Sequence, residues 1–212
     1  MENNFFAELK SLFQKFPGIG PRQASRFVYS LVDFSEDERK KMGEMVSGLD
    51  KYLRRCESCF RMFPLLYKDP LRQSVSEARG LGEIVCNFCG QNSKRDKSKV
   101  IIVEKDSDLL NFEKTRTYEG LYFVLGGLFD PLEENITPKN RIEIFKKNSG
   151  KFNEVVLALP STKLGDFTCE YIKKTISSHP ARITRFARGI SSGVELEYMD
   201  ENTLKHAFLN RK

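Results

Sequence analysis

Four cysteines stand in two C-x2-C pairs, Cys56-Glu-Ser-Cys59 and Cys86-Asn-Phe-Cys89. Each pair can present two thiolates to one tetrahedral ion. Two pairs together close a structural Zn²⁺ site with no open coordination position, so one zinc per chain is expected to hold structure rather than do chemistry. Twenty-six residues separate Cys59 from Cys86, longer than the usual spacing. A long loop adds little closure entropy, so the ligand set tolerates it. Disulfides or unrelated thiols are the alternative, and a reducing compartment favours the metal. Cys169 falls on the apolar side of a helical pattern and reads as a buried structural thiol.

A second constellation lies in FPGIGPRQASRFVYSL, residues 16–31. Gly18 and Gly20 flank Ile19, and Pro21 suits the first position of a new helix. Two helices joined by so short a turn need backbone conformations that glycine permits. The second helix then starts with unpaired N–H groups at the positive end of its dipole, which can hold a phosphate. Arg22 and Arg26 are one helical turn apart and off the apolar stripe, so both can reach neighbouring phosphates. This is the logic of a helix-hairpin-helix, which grips the DNA backbone without reading bases. A plain helical hairpin with a glycine turn is the alternative. Lys10 and Lys15 are the other local cations.

Carboxylates form the third group. Glu104 ends an apolar strand, and ligands of open parallel sheets gather beyond the carboxyl ends of strands. Mg²⁺ chemistry normally wants more than one carboxylate. Asp106 and Asp108 can cap the next helix instead. After EVVLALP the chain reads Ser161-Thr162-Lys163-Leu164-Gly165-Asp166, in which only Asp166 is acidic. It sits where a helix wants an N-terminal acid, so a cap and a metal ligand remain alternatives. His179 and His206 match no ligand pattern and read as surface residues.

The elements that must position these groups follow from periodicity. Phe5, Leu9, Leu12, Phe13 and Phe16 are helically spaced, and Pro17-Gly18 ends that helix. Ala24, Phe27, Val28 and Leu31 stripe the second helix. Ser35 and Glu38 make a capping-box pattern for a third, running through Met42, Met45, Val46, Leu49 and Leu53. Residues 67–83 are polar and aperiodic, a loop or insertion. Strands are expected at 100–105, 121–127, 154–160 and 182–187, and helices at 108–115, from Thr137 to near Gly150, and at 166–176. A last helix follows Asp200. Such alternation argues for a mostly parallel sheet covered by helices.

The expected class is therefore α+β and multidomain. Residues 1–55 form a helix-hairpin-helix unit and 56–98 a zinc-finger segment with a long insertion. Residues 99–190 form an α/β domain, and 191–212 a C-terminal segment with a helix. The 212 residues carry 35 Lys and Arg against 29 Asp and Glu, a net charge of +6, which favours an anionic partner. MENNFFAELK lacks the pattern of a secretion signal, and no apolar run reaches membrane-spanning length, so a cytoplasmic protein is expected.

The order of hairpin, four-cysteine segment and α/β sheet resembles the RecR family of bacterial recombination mediators. FPGIGPRQASR, VIIVEKDSDLLNFEKT, YFVLGGLFDPLEE and RFARGISSGVELEYMDENTL carry the resemblance over nearly the whole chain. It implies that the α/β region is a Toprim domain and that subunits assemble into dimers or ring-like tetramers able to encircle DNA. It implies work with RecO and RecF in loading the RecA recombinase at gaps, without nuclease activity. It places DNA-contacting positions at Arg22 and Arg26 and the Toprim glutamate at Glu104. The family's third-strand motif is close to T-N-P-T-x-E-G-E, whereas this chain has L-P-S-T-K-L-G-D, with Leu164 replacing one acid and Asp166 keeping the other. In the family this acidic region helps contact RecO. The stretch between the knuckles is also longer here by more than a dozen residues.

The expected function is a non-enzymatic, sequence-independent DNA-binding mediator of recombinational repair. The rival reading is a Mg²⁺-dependent Toprim enzyme (nuclease, primase or topoisomerase) built on Glu104. The missing acidic pair argues against it. So does the lack of a tyrosine placed for strand passage, since Tyr118 and Tyr122 merely flank a strand.

Overall fold

Apolar strands alternating with amphipathic helices produce the α+β architecture that the periodicity implies. The computed structural model of the protein describes residues 4–65, 84–132, 136–178, 180–187, 190 and 193–209, with the backbone alone at 202 and 206. The expected insertion at 67–83, His179 and the side chain of His206 lie outside the described residues. The chain divides into two compact units, Met1–Leu53 and Arg54–Lys212.

The first unit is helical. Helix α1 spans Phe5–Gln14, α2 Pro21–Asp33, α3 Glu36–Ser47 and the short α4 Leu49–Tyr52. Helices α1 and α2 pair as a hairpin, with Phe13 against Phe27 and Phe6 against Tyr29 at ring separations of 5.5 and 5.3 Å. Ala24 and Val28 are its buried apolar residues. The capping box expected at Ser35 and Glu38 is present in both directions. The expected continuous third helix instead breaks at Gly48, which ends α3 and precedes α4.

The second unit is built on strands. Strands β1 (Leu53–Arg55) and β2 (Met62–Pro64) form a two-stranded sheet. Then follow β3 (Asp96–Val103), α5 (Asp106–Thr115), β4 (Gly120–Val124), α6 (Thr137–Asn148), β5 (Glu154–Ala158), α7 (Lys163–Thr175), β6 (Arg182–Arg185) and α8 (Glu201–Leu209). The four longer-range strands lie in the order β4-β3-β5-β6 with every pairing parallel. Strand β3 starts four residues before the expected position and ends at Val103. A register irregularity between Asp96 and Val100 lets its polar start pair with β4.

Alternate residues of β3 face opposite cores, as the two-residue pleat requires. Val100 and Ile102 pack with Ile142, Phe145, Cys169 and Ile172. Ile101 and Val103 pack with Leu109 and Tyr122. Cys169 is fully buried, and burial raises its thiol pKa, as expected of a structural cysteine. The carboxylate of Asp200 accepts from the Thr203 N–H at 3.0 Å, so the last helix is capped as its sequence implies.

One close approach fixes where α7 begins. A Cβ on Gly165 would lie 2.0 Å from the Pro160 carbonyl oxygen, a backbone atom that cannot swing away. Gly165→Ala is expected to destabilise the fold by about 2 kcal/mol through this overlap. Urea unfolding checks this, and an unchanged midpoint would show that the turn relaxes without cost.

Candidate metal centre and candidate nucleic-acid interface

The two cysteine pairs converge. The ligand atoms of Cys56, Cys59, Cys86 and Cys89 all lie within 4.8 Å of one another. The Cys59 and Cys86 sulfurs are 3.7 Å apart, and none of the four is in a disulfide. Four sulfurs at about 2.3 Å from a tetrahedral ion stand about 3.8 Å apart, so this spacing fits a metal and is far from a disulfide's ~2.05 Å.

Local backbone bonding shapes each knuckle. In the first, the Cys56 N–H donates to the Arg61 carbonyl at 2.8 Å and the Phe60 N–H to the Cys56 carbonyl at 2.9 Å, with Phe60 left-handed at φ 59°. In the second, the Cys89 and Gly90 N–H groups both donate to the Cys86 carbonyl. The Cys86 N–H donates to the Cys56 sulfur at 3.3 Å, which favours a thiolate there. Hydrogen bonds with Cys56, reinforced by burial, push the Cys59 and Cys89 thiols well up. Four thiolates packed this closely repel one another unless a cation compensates them. A divalent ion supplies that compensation.

The knuckles are fastened to the four-stranded sheet. Strand β4 is an edge strand, and its Val124 N–H donates to the Cys59 carbonyl at 2.9 Å. The Met62 N–H donates to Asp106 at 2.7 Å, and Phe60 meets Phe123 edge-on at 5.4 Å. Phe88 lies between the guanidinium groups of Arg61 and Arg95, 3.9 and 3.7 Å from its ring centroid. Arg95 also pairs with Glu113 and donates to the Gly120 carbonyl, while Tyr122 donates to Glu113 at 2.7 Å. Sequence reasoning missed Arg95 and the role of Asp106, because both act across elements rather than along the chain. Asp108 does accept from the Lys105 N–H at the start of α5, as a capping residue would.

The hairpin presents a different chemistry. Gly18 has φ +78°, the left-handed region that favours glycine, and nothing lies within 4 Å of where its Cβ would be. Gly20 differs from expectation. It is the N-cap of α2 with an extended backbone at φ −80° and ψ 172°, so its conformation is open to any residue. What it lacks is a side chain. Among the described residues no side-chain bond caps α2, Pro21 supplies no N–H, and the first intrahelical bond runs from the Ala24 N–H to the Gly20 carbonyl at 3.0 Å. The Arg22 and Gln23 amides thus stand at an uncapped helix start. Arg22 and Arg26 are both exposed, on the side away from buried Ala24 and Val28.

The carboxylates at the strand ends each meet a cation of this chain. Glu104 follows β3 directly, and its carboxylate is 3.0 Å from the Lys105 ammonium. Asp166 is not the cap of α7. Thr162 holds that role, accepting from the Gly165 N–H at 3.1 Å. Asp166 lies in the first turn of α7 and pairs with Arg185 at 2.6 Å, and Arg185 donates in turn to the Pro160 carbonyl. Among the described residues, the cysteines are the only cluster of three or more groups able to hold a metal. Burial pushes the Tyr118 and Tyr122 hydroxyls up, which leaves both phenols protonated.

The family model described as Toprim domain matches residues 98–187, and that described as RecR, C-terminal matches residues 189–212. The recombination protein RecR of Chlamydia abortus is 31% identical over 210 residues, covering 98% of this chain and 96% of that protein.

Proposed function

This chain belongs to the RecR family, and on that premise we propose that it is a non-enzymatic mediator of recombinational repair that holds DNA by its backbone. The observation that carries the reading is the uncapped start of α2, with Arg22 and Arg26 exposed beside it. Gly18 and Gly20 keep side chains out of the approach. Amide hydrogens and guanidinium groups together recognise phosphate oxygens and carry no base information. Affinity is therefore expected to be the same, within about twofold, for duplexes of unrelated sequence at one salt concentration. Fluorescence anisotropy checks this, and a strong preference for one sequence would oppose the reading.

The four thiols are assigned to zinc, the commonest ion for a closed tetrahedral sulfur site. Cys56, Cys59, Cys86 and Cys89 would hold it, and its part is to tie the knuckles into one rigid piece.

The Toprim carboxylates point away from catalysis. Each of Glu104 and Asp166 already has a cation of this chain as its partner. Supercoiled plasmid incubated with the protein and Mg²⁺ is expected to remain unnicked. Nicking that Glu104→Gln abolishes would instead support the enzyme reading. The replacement of one family acid by Leu164 also implies an altered RecO contact in this region.

The remaining partners follow from the family resemblance: RecO and RecF as co-mediators, RecA as the recombinase served, and copies of this chain. An apolar groove of about 960 Å³ in the N-terminal unit supports self-association. Leu12, Phe16 and Val32 line it while more than half exposed, an arrangement suited to burial against another chain. Light scattering is expected to return a dimer or tetramer.

A further inference from the structure

We propose that the edge of the four-stranded sheet where its strands begin carries a second phosphodiester-binding surface, centred on Lys97 and Lys151. It rests on the reading of the chain as a DNA-binding protein but on none of the hairpin residues.

The placement comes from the fold. In parallel α/β units the strand starts and the helix ends share one edge. Here the Asn153 N–H donates to the Ser98 carbonyl at 2.7 Å, which brings the turn after α6 against the start of β3. Between them opens a cavity of about 110 Å³. Its wall is largely apolar, formed by Val100, Phe123, Phe145 and Phe152, all buried, and Cys59 and Cys89 of the metal cluster border it as well. Lys97, Lys151, Asn148 and Ser58 also line it and are exposed. The space is several times the ~30 Å³ share of one water molecule, enough for a phosphate group. Asn148 and Ser58 can add neutral donors to the two ammonium groups.

Among the described residues neither Lys97 nor Lys151 has a carboxylate within 4 Å. Lys99, Lys105 and Lys173 of this unit, by contrast, pair with Asp96, Glu104 and Glu170. The nearby acids are themselves engaged or flanked. Asp96 accepts from the Ser98 amide and hydroxyl, and Glu154 stands in register between Lys99 and Arg182. The Lys151 ammonium is 5.1 Å from the Phe152 ring centroid, which holds it at the cavity.

A polymer suits these groups better than a free ion. One exposed lysine gains little from one exposed anion in water. A phosphodiester chain gains from every counterion released along its length, and tethering makes successive contacts effectively intramolecular. The partner is therefore a nucleic-acid backbone.

The test uses the full chain and a labelled gapped duplex, with affinity measured by anisotropy from 50 to 200 mM NaCl. Five proteins are compared: the parent, Lys97→Glu with Lys151→Glu, Lys97→Arg with Lys151→Arg, Arg22→Ala with Arg26→Ala, and the combination of the glutamate and alanine pairs. The lysine pair is expected to weaken binding and to shrink the affinity loss across that salt range by about tenfold, matching two lost contacts. Lys97→Arg with Lys151→Arg should restore the parent behaviour, and unchanged metal content and melting would confirm that the charge reversals fold. Parent-like affinity and salt slope in the folded lysine variant would overturn the proposal even while the arginine variant loses binding. Loss in the lysine variant alone would sustain it and overturn the hairpin reading instead. Release of the parent complex by inorganic phosphate at matched ionic strength, absent from the lysine variant, would overturn it in favour of a small-anion pocket.

Discussion

Removing the metal is expected to unfold more than the cysteine knuckles. Chelation, or Cys56→Ser, should strip hydrogen-exchange protection from β4 and lower the melting temperature by more than about 10 °C. A closed zinc site in a small segment contributes roughly 10–16 kcal/mol of apparent binding energy. That rivals the whole stability of a typical domain, about 5–15 kcal/mol, so the knuckles have no means of persisting without it. The loss then spreads along identifiable contacts. The Val124 N–H, at the edge of the sheet, loses the Cys59 carbonyl. The Met62–Asp106 bond, the Phe60–Phe123 contact and the Arg95 bridge to Glu113 and Gly120 lose their partners or the frame that holds them. Strand β3 should stay protected longer, because it lies between β4 and β5. Exchange measured by mass spectrometry with and without chelator decides the matter. If residues 120–124 keep full protection while 56–65 and 84–90 lose it, the knuckles are an appendage and not part of the sheet's support.

Replacing Arg22 and Arg26 by alanine is expected to weaken DNA binding by at least about tenfold at physiological salt and to flatten its salt dependence. Each phosphate contact contributes about 0.9 to the log–log slope on duplex DNA, so the two losses should lower it by about 1.8 for each engaged subunit. Both side chains are exposed and off the buried stripe, so the substitutions should leave melting close to that of the parent. Equal weakening on unrelated sequences would mark the lost contacts as backbone contacts. Unchanged affinity and slope would assign the DNA grip to other residues.

The features that lie along the chain were legible in it. The Ser35–Glu38 capping box, the Gly18 turn and the two C-x2-C pairs are local patterns whose physical demands act within a few residues, and each appears as read. The alternation of apolar strands and helices likewise implied a parallel sheet. Its strand order was not legible, because β4-β3-β5-β6 is settled by how helices pack on both faces. The polar start of β3 was missed for the same reason. Asp96 and Lys99 carry no apolar alternation, and it is pairing with β4 and β5 that makes them strand. Gly48 broke a helix whose apolar spacing ran straight across it.

The candidate sites divide in the same way. Cysteine spacing announced the metal cluster, but nothing in it announced that the Cys59 carbonyl would receive an N–H from the edge of the sheet, since every residue has a carbonyl. Asp166 looked like a cap because it opens a helical pattern. Its partner Arg185 is on another strand, and Thr162, four residues earlier, caps instead. Gly20 was expected to be needed for its dihedral freedom, yet its backbone is ordinary, and what matters is the absent side chain at the helix start.

The most direct test of the central claim observes the amides themselves. In an isotope-labelled full chain, the Arg22 and Gln23 N–H resonances are predicted to shift on adding either of two oligonucleotides of unrelated sequence. The shifts should be similar for both and should reverse as salt is raised. A titration that saturates with bound DNA and leaves the Gly20, Arg22, Gln23 and Arg26 N–H resonances unmoved would contradict the account.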